Sequence, residues 1–118
     1  MKAVNLVRIE KIDDELIDYI ARLVTKVIAP EKIILFGSYA YGTPGKESDI
    51  DILVILKESS LPRYKRSIPI YKELSGILVP KDLLVYTENE IEEWSEVPQS
   101  FITTIYKKGR VIYEKDTN

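Results

Sequence analysis

The chain of 118 residues contains no cysteine and no histidine. Without cysteine there is no disulfide, no thiolate nucleophile and no sulfur-ligated zinc. Without histidine, serine–histidine hydrolysis, imidazole general bases and histidine-rich zinc sites are excluded together. Acid–base or metal chemistry must therefore fall mainly to aspartate and glutamate. No apolar run approaches the roughly 18 residues of a membrane-spanning helix, and the first residues lead into no signal-like segment. A cytoplasmic location is expected, with no membrane partner. The formal charge of −2 gives no electrostatic reason to expect direct nucleic-acid binding.

What is present describes an ordinary globular chain, 45% hydrophobic and 31% charged. The length fits a single domain over residues 1–118, with no internal repeat or boundary. After Asp13, a candidate N-cap, apolar residues recur at Leu16, Ile20, Leu23, Val24, Val27 and Ile28, the period of a helix that Pro30 ends. "KIILF" (residues 32–36) predicts a buried strand stopped by Gly37, and one helical turn fits residues 38–42. "DIDILVIL" (49–56) predicts a second strand, buried on both faces beyond Asp51. Residues 61–78 predict a helix that Pro69 kinks or splits and Gly76 stops. Residues 79–87 predict a third strand, with Asp82, Leu84 and Tyr86 on one face and Leu83 and Val85 on the other. A short helix in "ENEIEEWSE" follows. Another runs from about Pro98 to Lys108, with Phe101, Ile102 and Ile105 inward and Gly109 as its cap, and "RVIYE" is an edge strand. The order predicts an α/β (α+β) domain on one small mixed sheet of three to four strands flanked by helices.

Asp49 and Asp51 stand at the mouth of the second strand. Residues i and i+2 of a strand share a face at roughly 6.5–7 Å along the backbone, so their carboxylates can converge. Two such charges about 4 Å apart repel by roughly 4 kcal/mol at an effective dielectric near 20. A divalent cation reverses the sign, and with only oxygen ligands to offer, Mg²⁺ or Mn²⁺ fits best. Taken alone, two aspartates at a strand entrance more commonly make a solvated turn or cap. Gly37-Ser38 adds to them: the glycine permits close approach to the backbone, and the serine opens a helical turn suited to phosphate. The basic run Arg63–Arg66 is expected to be a solvated helix face. Trp94 is expected in the core or on a partner surface, and Lys46 and Lys81 in solvent, though either could contact phosphates.

Gly37-Ser38, ten intervening residues and Asp49-x-Asp51 together resemble the G-S-x(10)-D-x-D signature of the DNA polymerase β-like nucleotidyltransferases. The longer string "GSYAYGTPGKESDIDILV" resembles their minimal nucleotidyltransferase (MNT) group, with Ala40, Gly42 and Ser48 fitting that pattern. The resemblance covers nearly the whole chain and implies the polymerase β-like palm fold. It implies that Asp49, Asp51 and a third acid on a neighbouring strand hold two Mg²⁺ (or Mn²⁺) ions, and Asp82 in "KDLLVY" is matched to that third place by order and context. Asp82 could instead be an exposed edge-strand acid. Ser38, with the backbone near Gly37, would hold the β- or γ-phosphate of ATP, and Ser48 is placed with them in the nucleotide site.

Larger members of that superfamily carry helical domains that present the acceptor, and this chain has no room for one. The acceptor must come on another molecule or a second subunit. Resemblance to the MNT group implies a HEPN-domain RNase toxin, with this chain as an antitoxin that attaches AMP to a toxin tyrosine. Two alternatives stay open: a non-catalytic antitoxin that occludes the toxin, and a small-molecule nucleotidyltransferase working as a homodimer.

Overall fold

The computed structural model describes residues 13–41, 49–97 and 100–116. Helix α1 (Asp14–Val27) begins where the Asp13 carboxylate accepts the Leu16 N–H at 3.0 Å. It buries Leu16, Ile17, Ile20, Ala21 and Val24 against the sheet. Val27 turns away from that stripe and is exposed. Strand β1 (Lys32–Phe36) leads through Gly37 into α2 (Ser38–Tyr41), and β2 (Ile50–Leu56) follows the loop. The sequence reading began this strand at Asp49; the ladder begins one residue later, which leaves Asp49 exposed just outside it.

Pro69 does split the third helical region. The chain forms α3 (Arg63–Arg66) and α4 (Ile68–Glu73), with Pro69 in the first turn of α4, where its missing N–H is tolerated. Strand β3 (Lys81–Thr87) starts directly after Pro80. Thr87 then caps α5 (Glu88–Ser95) through a reciprocal box with Glu90. Ser100 caps α6 (Phe101–Lys108), which runs through Gly109 into β4 (Arg110–Glu114).

The four strands lie in the order β3-β2-β1-β4, with β1 antiparallel to both neighbours and β2 parallel to β3. The sheet is mixed, as its sequence order implied. Both faces are covered. On one face Ile33, Leu35, Ile52, Val54, Leu83 and Val85 pack against α1 and the α4 segment. On the other, Ile34, Phe36, Leu53 and Ile55 pack under Ile91 of α5 and Ile102 and Ile105 of α6. This double burial is why β2 carries an unbroken apolar run rather than an alternating one. No helix among the described residues is long and apolar enough to cross a membrane.

Two expectations are corrected here. Arg63–Arg66 is not simply a solvated face, because Arg66 is 7% exposed and bound to Glu90. Phe101 does not point into the core; it is 58% exposed, while Ile102 and Ile105 occupy the buried face of α6. Trp94 is also partly exposed.

Candidate active site

Three strands share one end of the sheet. β1 arrives there with Phe36, and β2 and β3 depart from it with Asp51 and Asp82. The register sets Asp51 opposite Phe36 on one side and opposite Asp82 on the other. Alternation along each strand directs all three side chains to the face that carries Leu53, Ile55 and Leu84. Asp51 and Asp82 are therefore adjacent in one rung, with strands about 4.8 Å apart. Asp49 stands two residues before Asp51, exposed just ahead of the strand, and its charge adds to the upward push on the Asp51 carboxyl.

Gly37 explains how Asp51 fits. Its φ of 74° lies in the left-handed region that glycine enters without strain. A side chain there would collide with the Asp51 carboxylate, overlapping Oδ2 and coming 3.1 Å from Cγ. The glycine thus turns the chain out of β1 and opens the space that the carboxylate fills. Ser38 comes next, half-buried at the start of α2, and the Ala40 N–H closes the turn onto the Gly37 carbonyl at 3.0 Å. At four residues α2 contributes little dipole, so its hydroxyl and local amides matter more than any helix field.

The electrostatics are those of like charges brought together. Burial pushes the Asp51 carboxyl above its ordinary range, and the charges of Asp82 and Asp49 push it further. Among the described residues none of the three acids has an ion-pair partner. The donor set is all carboxylate oxygen, which suits a hard divalent cation. No three acidic side chains among the described residues are already drawn into an ion-holding cluster.

Lys81, expected in solvent, donates instead to the Ile77 carbonyl at 2.9 Å, and burial lowers its ammonium pKa. Its place next to Asp82 sends its side chain to the opposite face. Gly42, Lys46 and Ser48 lie outside the described residues.

Sequence reasoning missed what holds β3. As an edge strand, β3 turns alternate backbone groups toward α3 and α4, and side chains from those helices bond two of them. The Tyr71 hydroxyl accepts the Leu83 N–H at 3.0 Å, one residue from Asp82. The Arg66 guanidinium donates to the Val85 carbonyl at 3.2 Å. Neither contact has a local signal, since each spans 12 residues or more. Cavities of about 480 Å³ and about 660 Å³ are lined by the opposite ends of the strands, at Lys32 and Ile55 and at Leu56 and Arg66, and include none of the three carboxylates.

The chain is similar to known proteins over most of its length. The family described as polymerase beta nucleotidyltransferase matches residues 18–118. Two curated relatives from Methanocaldococcus jannaschii are candidate protein adenylyltransferases. MJ0141 is 40% identical over 55 residues, 47% of this chain and 54% of its own length. MJ1379 is 38% identical over 71 residues, 53% of this chain and 71% of its own. The match to MJ0141 thus spans only about half of that relative. Two solved structures share the fold. A candidate nucleotidyltransferase from Sulfolobus solfataricus aligns at TM-score 0.60 and 23% identity, over 88% of this chain and 82% of the other. A toxin–antitoxin structure with AMP-PNP aligns at TM-score 0.54 and 23% identity, over 89% of this chain and 76% of the other.

Proposed function

Because this chain belongs to the polymerase β nucleotidyltransferase family, we propose that it transfers AMP from ATP to a hydroxyl on a partner protein, with release of pyrophosphate. The observation that carries the proposal is the rung in which Asp51 and Asp82 face each other across β2 and β3, with Gly37 packed against Asp51. The names of the two M. jannaschii relatives support a protein acceptor, and the AMP-PNP in the toxin–antitoxin structure supports an adenine nucleotide.

Asp49 and Asp51 would hold the ATP-associated Mg²⁺ (or Mn²⁺) ions, and Asp82 would share the one nearest the acceptor. When bound, such ions neutralise the charge that develops on the attacking and leaving oxygens. The chain's own residues do the rest. Ser38 and the backbone at Gly37 hold the β- and γ-phosphates beside β1. Ser48 belongs to the same nucleotide site. Asp82 receives the acceptor's proton, since the chain has no histidine to do so. The acceptor oxygen forms its bond to the α-phosphorus as the bond from that phosphorus to the bridging oxygen breaks, and pyrophosphate leaves with the electron pair. The carboxylates of β2 and β3 fix the angle of approach.

The partner proposed is a HEPN-type RNase toxin and the acceptor one of its tyrosines, so that adenylylation is how the antitoxin acts. Incubation with such a partner, Mg²⁺ and ATP labelled at the α-phosphate should label the partner, whereas label at the γ-phosphate should not transfer. Intact mass should rise by whole AMP units, and peptide mapping should place them on tyrosine. Transfer from the γ position would identify a kinase and refute the proposal. Neutralisation of the toxin by an Asp82→Asn variant, without any label, would replace adenylylation by occlusion.

A further inference from the structure

We propose that Phe101 is the surface on which the base of the nucleotide stacks, an inference that rests on the nucleotidyl-transfer function proposed above. Phe101 is the first residue of α6 and remains 58% exposed. Its ring nevertheless rests on the core. It meets Phe36 edge-to-face, with centroids 5.5 Å apart and planes at 84°. The backbone beneath it is pinned as well. Ser100 accepts the Thr103 N–H at 3.1 Å, its hydroxyl reaches the Trp94 carbonyl at 3.3 Å, and the Thr103 hydroxyl donates to the Val97 carbonyl at 2.9 Å. A large aromatic braced on one edge, with more than half its surface in solvent, has given up part of its freedom before any ligand arrives.

Its location gives the ring a task. Phe36 is the residue directly across from Asp51. Phe101 therefore stands by the end of β1, the strand next to that of Asp51 and two strands from that of Asp82. In-line displacement puts the acceptor and the departing pyrophosphate on opposite sides of the α-phosphorus. Gly37 and Ser38, which continue β1, take the phosphate side, and Asp82 on β3 takes the acceptor side. A phenyl ring above β1 is thus on the wrong side to receive the acceptor and has no charge with which to hold phosphate. The nucleoside hangs from the α-phosphorus transverse to that axis. Its base is the one part of the substrates with an extended π-face that can lie against a neutral ring. Stacking of this kind reads no base edge, so it gives affinity with little discrimination among purines.

Calorimetry with Mg²⁺ present separates the two ends of the substrate. Tripolyphosphate carries the phosphate chain without a base. Phe101→Ala should weaken ATP binding by about 5- to 150-fold while leaving tripolyphosphate affinity at the wild-type value. Phe101→Leu keeps apolar contact with Phe36 but has no aromatic face, and it should lose ATP affinity too; Phe101→Trp should retain it. Thermal melting of each variant should stay close to wild type, given the exposure of the side chain. Unchanged ATP affinity in Phe101→Ala would overturn the assignment, and so would a parallel loss of ATP and tripolyphosphate. A wild-type protein that binds neither compound would refute nucleotidyl transfer itself, a result distinct from either of those.

Discussion

Replacing Arg66 tests how the acidic strand is held. The guanidinium is nearly enclosed and fully engaged: Nε donates to the Leu61 carbonyl at 3.0 Å and Nη1 to the Val85 carbonyl at 3.2 Å. Nη1 and Nη2 grip the Glu90 carboxylate at 2.6 and 3.3 Å. Glu90 in turn accepts the Thr87 N–H at 2.8 Å, so a single carboxylate ties α3 to the cap of α5. Arg66→Ala would remove this pairing and leave the Val85 carbonyl without its donor, while Glu90 keeps the Thr87 N–H and has Arg63 3.7 Å away. Losing hydrogen bonds to a charged group of this kind costs about 1.5–3 kcal/mol. The acid side of the pair gives a consistent size. Glu90 is drawn from 4.5 to about 2, chiefly by its hydrogen bond to Arg66 with help from Thr87 and Arg63, and screening by the solvent that reaches the carboxylate holds the Arg66 share to about 2 kcal/mol. For a chain of this length the melting temperature should fall by roughly 5–15 °C. The sign with pH follows from the depressed value. The contribution is complete above the unfolded pKa near 4.5 and is lost as pH falls through the folded value near 2. Thermal denaturation by circular dichroism, at pH 7 and at steps between pH 5 and pH 2, should show wild type losing stability over that window. Arg66→Ala should lose less, having less to lose. Lys65→Ala, one residue away and exposed, is the control and should stay within about 0.5 kcal/mol of wild type. If Arg66→Ala melts within a few degrees of wild type at pH 7, the pair does not organise this edge.

Asp51→Asn removes a desolvated charge that its acidic neighbours oppose, so it should melt at or a few degrees above wild type while abolishing nucleotidyl transfer; scanning fluorimetry alongside the α-label assay checks both. Gly37→Ala forces a Cβ into the Asp51 carboxylate at positive φ, and should cost about 1–3 kcal/mol in chemical denaturation and weaken ATP binding. Tyr71→Phe deletes only the acceptor for the Leu83 N–H beside Asp82. Its expected cost is about 1 kcal/mol, with faster hydrogen exchange at Leu83 than at its β3 neighbours.

The parts of the structure legible in the sequence are those specified by neighbours in the chain. The α1 stripe, the two-faced apolar run of β2 and the break at Pro69 each follow from local pattern and backbone chemistry. The three acids were legible as types and spacings, but their rung was not: that Asp82 stands opposite Asp51 depends on the β2–β3 register, set by the core on both faces. Phe101 misled because its helical phase lies within about 40° of Ile105, and only the crossing of α6 over β1 decides which residue meets the sheet. Arg66 misled for the opposite reason. Charge in a basic run suggests solvent, and nothing local reveals a carboxylate 24 residues away.

The side-chain caps on β3 also govern how other molecules can meet this end of the protein. An edge strand with open N–H and carbonyl groups recruits further strands, whether from a partner or from copies of itself. Here the Leu83 N–H and the Val85 carbonyl are already occupied, by Tyr71 and Arg66. The border bearing Asp82 can therefore stay open to solvent without becoming a seam for polymerisation. A visiting strand finds the ladder interrupted at two successive outward positions, so recognition along that stretch falls to the shape and charge of side chains.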